Sequence, residues 1–148
     1  MTTSWHIKIA NWSKLSDRKA IKAIRETVFI DEQNVPIELE WDDLDDECLH
    51  LLVTDRQTNG IATARMQEKN TTAHIGRMSV LKPYRRQGIG SLMLEKLLEQ
   101  ARQSGVKEIE LNAQTAAIHF YQRYGFVSIG EEFQDAGIPH YKMILHMK

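Results

Sequence analysis

The chain lacks three features that would each indicate a particular class of protein: paired cysteines, a long apolar run and a large excess of charge of one sign. Its single cysteine, Cys48, excludes an internal disulfide framework and a zinc site built from several cysteines. No stretch approaches the ~20 apolar residues that a membrane span needs, and the opening MTTSWHIKIANW shows no basic start before an apolar run. We therefore expect a cytoplasmic protein without a leader, a membrane partner or a metal site.

Charge is balanced over the chain as a whole. Nineteen Lys and Arg residues against twenty Asp and Glu give a formal net charge of -1, so no global field draws the protein to nucleic acid. A length of 148 residues with 42% hydrophobic residues, and with no repeat or Pro/Gly/Ser linker, predicts one globular domain over 1–148. Because the net charge is close to zero, any electrostatic attraction of a ligand is expected to come from local groups of charged residues.

The apolar periodicity alternates between two and 3.6 residues, which predicts a mixed α and β chain. Strands are predicted over 7–9, 49–55, 61–66, 73–81, 108–113, 126–133 and 140–147. Helices are predicted from a cap at Ser16 to near Phe29, over 89–104 and over 116–124. Asn59-Gly60 indicates a hairpin turn between the second and third strands, and Asp31 to Glu47 is predicted as an acidic loop.

A basic, glycine-bearing loop joins a strand to a helix in the segment VLKPYRRQGIGS, residues 80–91. Gly88 and Gly90 let the backbone approach a ligand, and unpaired N–H groups at the helix start point outward. Lys82, Arg85 and Arg86 add positive charge, so a pyrophosphate would satisfy these groups together. The loop lacks the Lys-Ser/Thr of a nucleotide-triphosphate loop and the third glycine of a dinucleotide fingerprint. A surface turn with solvated arginines is the alternative.

Two segments of the chain resemble motifs of the GNAT acetyltransferase superfamily. MSVLKPYRRQGIGSLMLEKLL resembles its acetyl-CoA-binding segment with the motif R-x-x-G-x-G, and QTAAIHFYQRYGF resembles its block N-x-x-A-x-x-x-Y-x-x-x-G-F. The matching positions are Arg85, Gly88, Gly90, Ala117, Tyr121, Gly125 and Phe126. Gln114 replaces the usual asparagine, which helps to hold the pantetheine arm, but it retains an amide. The chain is thus identified as a small bacterial single-domain member of the superfamily.

The resemblance implies an α/β domain with a mixed, mostly antiparallel central sheet flanked by helices. An acyl-CoA cleft would lie between two splayed parallel strands, with acetyl-CoA as acyl donor. Backbone amides around Met78 to Val80 would hold the pantetheine and polarise the thioester carbonyl. The implied CoA-binding residues are Met78, Ser79, Val80, Arg85, Arg86, Gln87, Gly88, Ile89, Gly90, Ser91, Asn112, Gln114, Ala117 and Tyr121.

Acyl transfer to an amine needs proton movement at both ends of the reaction. An ammonium with a pKa of ~10.4 has to lose a proton before it attacks, and the departing thiolate has to be protonated or stabilised. The resemblance places this general-acid role on Tyr121, for which packing is the alternative role. The candidate bases are Glu32, Asp43, Asp46 and His74. Direct transfer is preferred over an acyl-enzyme, because the acidic neighbours of Cys48 raise the pKa of a thiol.

Between Asp31 and Glu47 stand nine carboxylates and no Lys or Arg. If this segment lies over the acceptor cleft, it would attract a cationic amine; a solvated acidic loop is the alternative. Arg65 is predicted either to bind a substrate carboxylate or to be an exposed charge on the hairpin.

These observations favour direct transfer of an acetyl group from the CoA thioester to a primary amine of a small molecule or peptide. One alternative is a GNAT-like module that senses acyl-CoA without turning it over. Another is an acyl-homoserine-lactone synthase, a class that the chain loosely resembles at Arg25, Phe29, Asp43, Asp46 and Arg65. Homodimerisation is common in the GNAT family and is a further expectation.

Overall fold

A seven-stranded sheet forms the centre of the protein, in the strand order β1-β2-β3-β4-β5-β7-β6. The structure, a computed structural model, describes residues 5–148; residues 1–4 of the predicted domain and of the N-terminal stretch considered as a leader lie outside it. The strands are β1 (His6–Ala10), β2 (Leu49–Thr54), β3 (Gly60–Lys69), β4 (Thr72–Val80), β5 (Glu108–Gln114), β6 (Val127–Asp135) and β7 (Ile138–His146). Within residues 5–148, neighbouring strands are antiparallel except β4 and β5. The predicted mixed, mostly antiparallel sheet is confirmed.

Four α-helices and a π-helical segment accompany the described sheet. The helices are α1 (Leu15–Arg25), α2 (Ile37–Glu40), α3 (Ile89–Gln103) and α4 (Ile118–Gln122). The π-helical segment Glu26–Glu32 continues α1, and single 3₁₀ turns occupy Asp45–Glu47, Lys82–Tyr84 and Thr115–Ala117. No helix in the described part of the chain is long and apolar enough to cross a bilayer.

The helices pack on opposite faces of the sheet because successive residues of a strand point to opposite sides. Leu51 and Val53 of β2 belong to the same buried cluster as Met93 of α3, whereas Leu52 packs with Ile21 of α1. These side chains are almost fully buried, and each contributes on the order of 1.5–3 kcal/mol of hydrophobic free energy. The sheet is thereby held between α1 and α3.

The first helix differs from the prediction at both ends. Ser16 is not its cap: Lys14 precedes α1, and the cap position makes no side-chain hydrogen bond. The Asp17 carboxylate instead accepts hydrogen bonds from the Asn11 amide at 3.0 Å and from Lys8 Nζ at 2.8 Å. The regular helix ends at Arg25, and the turn widens into the π-helical segment, a feature that periodicity does not reveal.

The predicted β2–β3 hairpin forms, but its turn is stabilised differently from an Asn-Gly turn. The residue with positive φ is Thr58, at 64°, rather than Asn59. The Asp55 carboxylate accepts hydrogen bonds from the backbone amides of Gln57 and Asn59, both at 2.9 Å. The predicted acidic loop also differs, because it contains α2 and the 3₁₀ turn at Asp45–Glu47.

Candidate active site

The cleft originates where β4 and β5 separate. The two strands pair only from Thr72–Glu108 to Ile75–Leu111, although both continue for several more residues. On its other side β4 carries a bulge, because Thr63 and Arg65 of β3 face Ser79 and Gly76, which leaves an extra residue on β4. Separated parallel strands and a bulged edge open a cleft of about 740 Å³.

One end of the cleft is formed by the start of α3. Gly88 has φ of 83°, and the first bond of the helix runs from the Leu92 amide to the Gly88 carbonyl at 3.0 Å. The amides of residues 89–91 precede that bond, so they have no acceptor within the helix. A Cβ on Gly90 would lie 3.5 Å from the Phe120 ring, which is an ordinary packing distance to α4. Such a helix start, with its partial positive charge, fits a phosphate group.

Arg85 is held by protein groups beside this helix start. Its Nε donates to the Val80 carbonyl at 2.8 Å, and its two Nη atoms donate to the carboxylate of Glu32 at 2.6 and 2.7 Å. These hydrogen bonds hold the pKa of Glu32 below its usual value. Glu32 pairs with the loop and does not line the cleft. Because its pKa is also lowered, Glu32 is poorly suited to act as a base.

The other predicted CoA-binding residues come together in the same cleft. All of the residues that the resemblance assigns to CoA binding line it except Gln87, which is exposed and whose side chain donates to the Pro83 carbonyl at 3.3 Å. Gln114 stands at the end of β5, where its Nε2 donates to Oε1 of Gln33 at 2.9 Å. The amide that replaces the family's asparagine therefore bridges to the segment after α1.

Tyr121 lies on α4 and is 8% exposed. Its ring packs edge-on against Phe120 and Phe126, with centroids 5.0 and 5.9 Å away. Its hydroxyl makes no hydrogen bond with the described residues, yet no buried side-chain oxygen in residues 5–148 lacks a partner. The hydroxyl therefore opens to the cleft that Tyr121 lines. Burial raises the pKa of Tyr121 to about 12, which keeps the phenol protonated at neutral pH.

The remaining candidate bases are spread over the molecule. His74 borders the cleft, but its Nδ1 lies 3.5 Å from Glu110 Oε1 on the neighbouring strand. Asp43 and Asp46 are exposed and do not line the cleft. The structure thus does not bring Asp43 and Asp46 to the cleft.

The prediction that Arg65 is an exposed charge is wrong. Arg65 is 7% exposed, and its Nη1 donates to Asp42 Oδ1 at 2.9 Å and to Asp45 Oδ1 at 2.8 Å. Asp45 also accepts from Arg25 Nη1 at 2.7 Å. These carboxylates hold both terminal nitrogens of Arg65 in buried ion pairs, and Arg65 does not line the cleft. Its binding of a substrate carboxylate stays a prediction.

Sequence reasoning missed two residues of the cleft, Glu40 and Arg77. Arg77 is the bulged residue of β4, with φ of 54°, and its Nε donates to Glu40 Oε2 at 3.1 Å. Both residues line the cleft. The signal in the sequence was the acidic segment itself, because nine carboxylates without a local cation favour cationic partners from elsewhere in the fold for any that become buried.

Comparison with known proteins agrees with this geometry. The model of the acetyltransferase (GNAT) domain family matches residues 16–147. The uncharacterized N-acetyltransferase YjcF of Bacillus subtilis is 39% identical over 122 residues, which are 82% of this chain and 86% of that protein. The crystal structure of an acyl-CoA N-acyltransferase from Pseudomonas aeruginosa matches with a TM-score of 0.83 at 30% identity, over 95% of this chain and 97% of that one.

A more distant structure shares the fold alone. An aminoglycoside 6'-N-acetyltransferase complexed with coenzyme A matches with a TM-score of 0.76 at 11% identity, over 95% of this chain and 96% of that one. The fold therefore has coenzyme A-binding members. With the splayed strands, the glycine-bearing loop and the family match over most of its length, the chain belongs to the GNAT acetyltransferase family.

Proposed function

We propose that the protein transfers an acetyl group from acetyl-CoA directly to the primary amine of a small molecule or peptide. The observation that carries this proposal is the continuity of one cleft. It runs from the helix start at Gly88, along the bulged end of β4, to the open hydroxyl of Tyr121. Those three parts correspond to the pyrophosphate, the pantetheine arm and the thioester of an acyl-CoA.

The phosphate end of the cleft supplies donors without a protein acceptor. The amides of residues 89–91 lack helical partners, and Arg86 lines the same end of the cleft. A diphosphate would accept from these amides while the partial positive charge of the α3 terminus stabilises it. Gly88 allows that approach because its left-handed backbone, with φ of 83°, would strain any residue with a side chain.

The chemistry requires a polarised carbonyl, a deprotonated amine and a protonated leaving group. Acetyl-CoA supplies the thioester, whose carbonyl oxygen would accept from backbone amides at the β4 bulge near Met78. As the C–N bond forms and the C–S bond breaks, Tyr121 donates its hydroxyl proton toward sulfur and regains a proton from the amine nitrogen. The high pKa of Tyr121 keeps that proton in place until the sulfur takes up negative charge.

The first test is binding of the donor. A ligand that binds only the folded state at 100 times its Kd stabilises the protein by about 2.7 kcal/mol, which a thermal shift detects. We expect stabilisation by acetyl-CoA and CoA and none by ATP, and we expect Arg85→Ala/Arg86→Ala to reduce it. Arg102→Ala, an exposed arginine on α3 away from the cleft, is the matched control.

Turnover is the second test, measured as thiol release with a panel of primary amines. Release that depends on both acetyl-CoA and amine supports the transferase. Donor binding without release for any amine would instead favour the sensing module. Absence of binding to any CoA species would contradict the proposal.

A further inference from the structure

We propose that Glu40 receives the ammonium group of the acceptor and takes its proton, and that the acceptor is a primary amine on an apolar body without a carboxylate. This inference rests on the acetyl transfer proposed above. Glu40 was absent from the bases considered from sequence.

The Glu40 carboxylate has one oxygen committed to the protein and one directed to the cleft. Glu40 is 2% exposed and ends α2. Its Oε2 accepts from Arg25 Nε at 2.7 Å and from Arg77 Nε at 3.1 Å, whereas Oε1 takes part in none of its hydrogen bonds. Since no buried side-chain oxygen of residues 5–148 lacks a partner, Oε1 reaches the cleft that Glu40 lines.

The position of Glu40 along the cleft matches the reacting end of the donor. Arg77, its partner, is the bulged residue of β4 and directly precedes Met78, whose backbone region would hold the thioester carbonyl. The Arg77 Nη2 also donates to the Glu40 carbonyl at 3.0 Å, so the end of α2 is fixed against the bulge. An ammonium on Oε1 would therefore stand beside the bound acyl group.

The walls near Glu40 define the rest of the acceptor. The cleft lining includes the apolar side chains of Val28, Phe29, Val35, Leu39 and Ile138, and Leu39 directly precedes Glu40. The two guanidinium groups next to Glu40, those of Arg25 and Arg77, already donate to its carboxylate. A carboxylate on the acceptor would thus lie near an anion and compete with existing ion pairs, whereas an apolar body would be buried favourably.

Proton transfer to Glu40 is consistent with its surroundings. Burial raises the pKa of Glu40, and the guanidinium groups of Arg77, Arg25 and Arg65 offset part of that rise. A carboxyl with a raised pKa is a stronger base than an exposed one. Glu40 removes one proton from the ammonium, and the freed lone pair forms the C–N bond as the C–S bond breaks. The second amine proton passes through Tyr121 to sulfur, and Glu40 then releases its proton to solvent.

The test compares Glu40→Gln with Glu38→Gln, an exposed glutamate on the same short helix. With 2-phenylethylamine as the probe, we expect both variants to bind acetyl-CoA with Kd within about twofold of the parent. We expect kcat/KM of Glu40→Gln at pH 7 to fall by about 100-fold, and Glu38→Gln to match the parent.

The pH profile separates a base from a structural residue. Around Glu40 lie Arg25, Arg65 and Arg77, together with the carboxylates of Asp42 and Asp45. In the parent, kcat/KM should fall as the pH drops below the raised pKa of Glu40. In Glu40→Gln it should keep rising toward pH ~10, where the amine loses its proton unaided. Glu40→Gln with a folded structure, intact acetyl-CoA binding and the parent profile would overturn the assignment.

The substrate class has its own test in the unmodified protein, which holds even if Glu40→Gln fails to fold. We expect kcat/KM for 2-phenylethylamine to exceed that for phenylalanine, which adds only a carboxylate, by at least about tenfold. Equal or reversed preference would overturn the class. Failure of acetyl-CoA to bind the parent protein would instead remove the proposed transferase, so the two failures are distinguishable.

Discussion

Tyr121 combines a buried ring with a hydroxyl that no described residue holds. For Tyr121→Phe we expect acetyl-CoA to bind as before, because the ring contacts are kept, while kcat falls by about 10²-fold through loss of the proton donor. Thiol release at saturating donor measures the effect. Tyr124→Phe is the control, since the Tyr124 hydroxyl points away to Glu95, at 3.2 Å. An equal loss in both variants would indicate a packing role for Tyr121.

At the same scale, sequence predicted the residues whose position follows from local motifs. Gly88, Gly90 and Tyr121 belong to short blocks in which strand, loop and helix are contiguous, so their approach to one cleft follows from the chain order. Arg65 and Glu40 depend on contacts between segments far apart in sequence. Nothing local distinguishes an exposed arginine from one that lies against two aspartates 20 and 23 residues earlier.

At the scale of elements, the two glycines that flank α3 allow the effect of backbone strain to be measured separately from the effect on ligand binding. Gly88 and Gly105 flank the two ends of this helix with φ of 83° and 79°, and a Cβ at either meets no atom within 4 Å. Alanine at either position should cost about 1–2 kcal/mol through the left-handed backbone alone. We expect Gly88→Ala also to weaken acetyl-CoA binding, and Gly105→Ala to leave it unchanged, as measured by calorimetric titration.

Equal affinity in the two glycine variants would show that the N-terminus of α3 does not hold the donor. Equal loss of stability, measured by thermal unfolding of the ligand-free proteins, confirms that the backbone strain is matched. The comparison therefore isolates binding from folding.

Element order was predictable because apolar spacing records which face of a strand or helix is buried. The ends were not, because they depend on single side chains and on distant packing. Asp17, rather than Ser16, stabilises the region where α1 begins, because its carboxylate accepts a hydrogen bond from the Asn11 amide. The π-helical segment Glu26–Glu32 places Phe29 on the cleft wall. Its apolar residues follow almost the same spacing as those of a regular α-helix, so the sequence pattern does not reveal the wider turn.

At the scale of the whole molecule, the ion pairs of Arg25, Arg65 and Arg77 join α1, the acidic segment, β3 and β4. Burial acts to raise the pKa of Asp42, but the Arg65 hydrogen bonds outweigh it and lower the pKa to about 2. A lowered carboxyl pKa stabilises the fold above the unfolded pKa of ~3.9, and that stability is lost as the pH falls toward the folded value.

For Asp42→Asn we therefore expect a loss of about 2 kcal/mol of stability at neutral pH and a flatter decline between pH 4 and 2. Urea unfolding across this pH range measures both. Asp43→Asn, at an exposed neighbour, is the control. The same slope in the parent and in Asp42→Asn would contradict the role given to the Arg65 pair.

If acetyl-CoA binds as proposed, the ion pair between Arg85 and Glu32 would make donor binding an exchange of one anion for another. Each side chain is about one-third exposed, so the pair is within reach of solvent and of an arriving diphosphate. A diphosphate that accepts from Arg85 would displace the Glu32 carboxylate rather than water alone. The net free energy of this contact would be the difference between the Arg85–diphosphate and Arg85–Glu32 interactions. Added salt screens the pair that is lost as well as the one that is formed. Affinity for the donor should therefore decline less steeply with ionic strength than the positive charges of the loop alone would require.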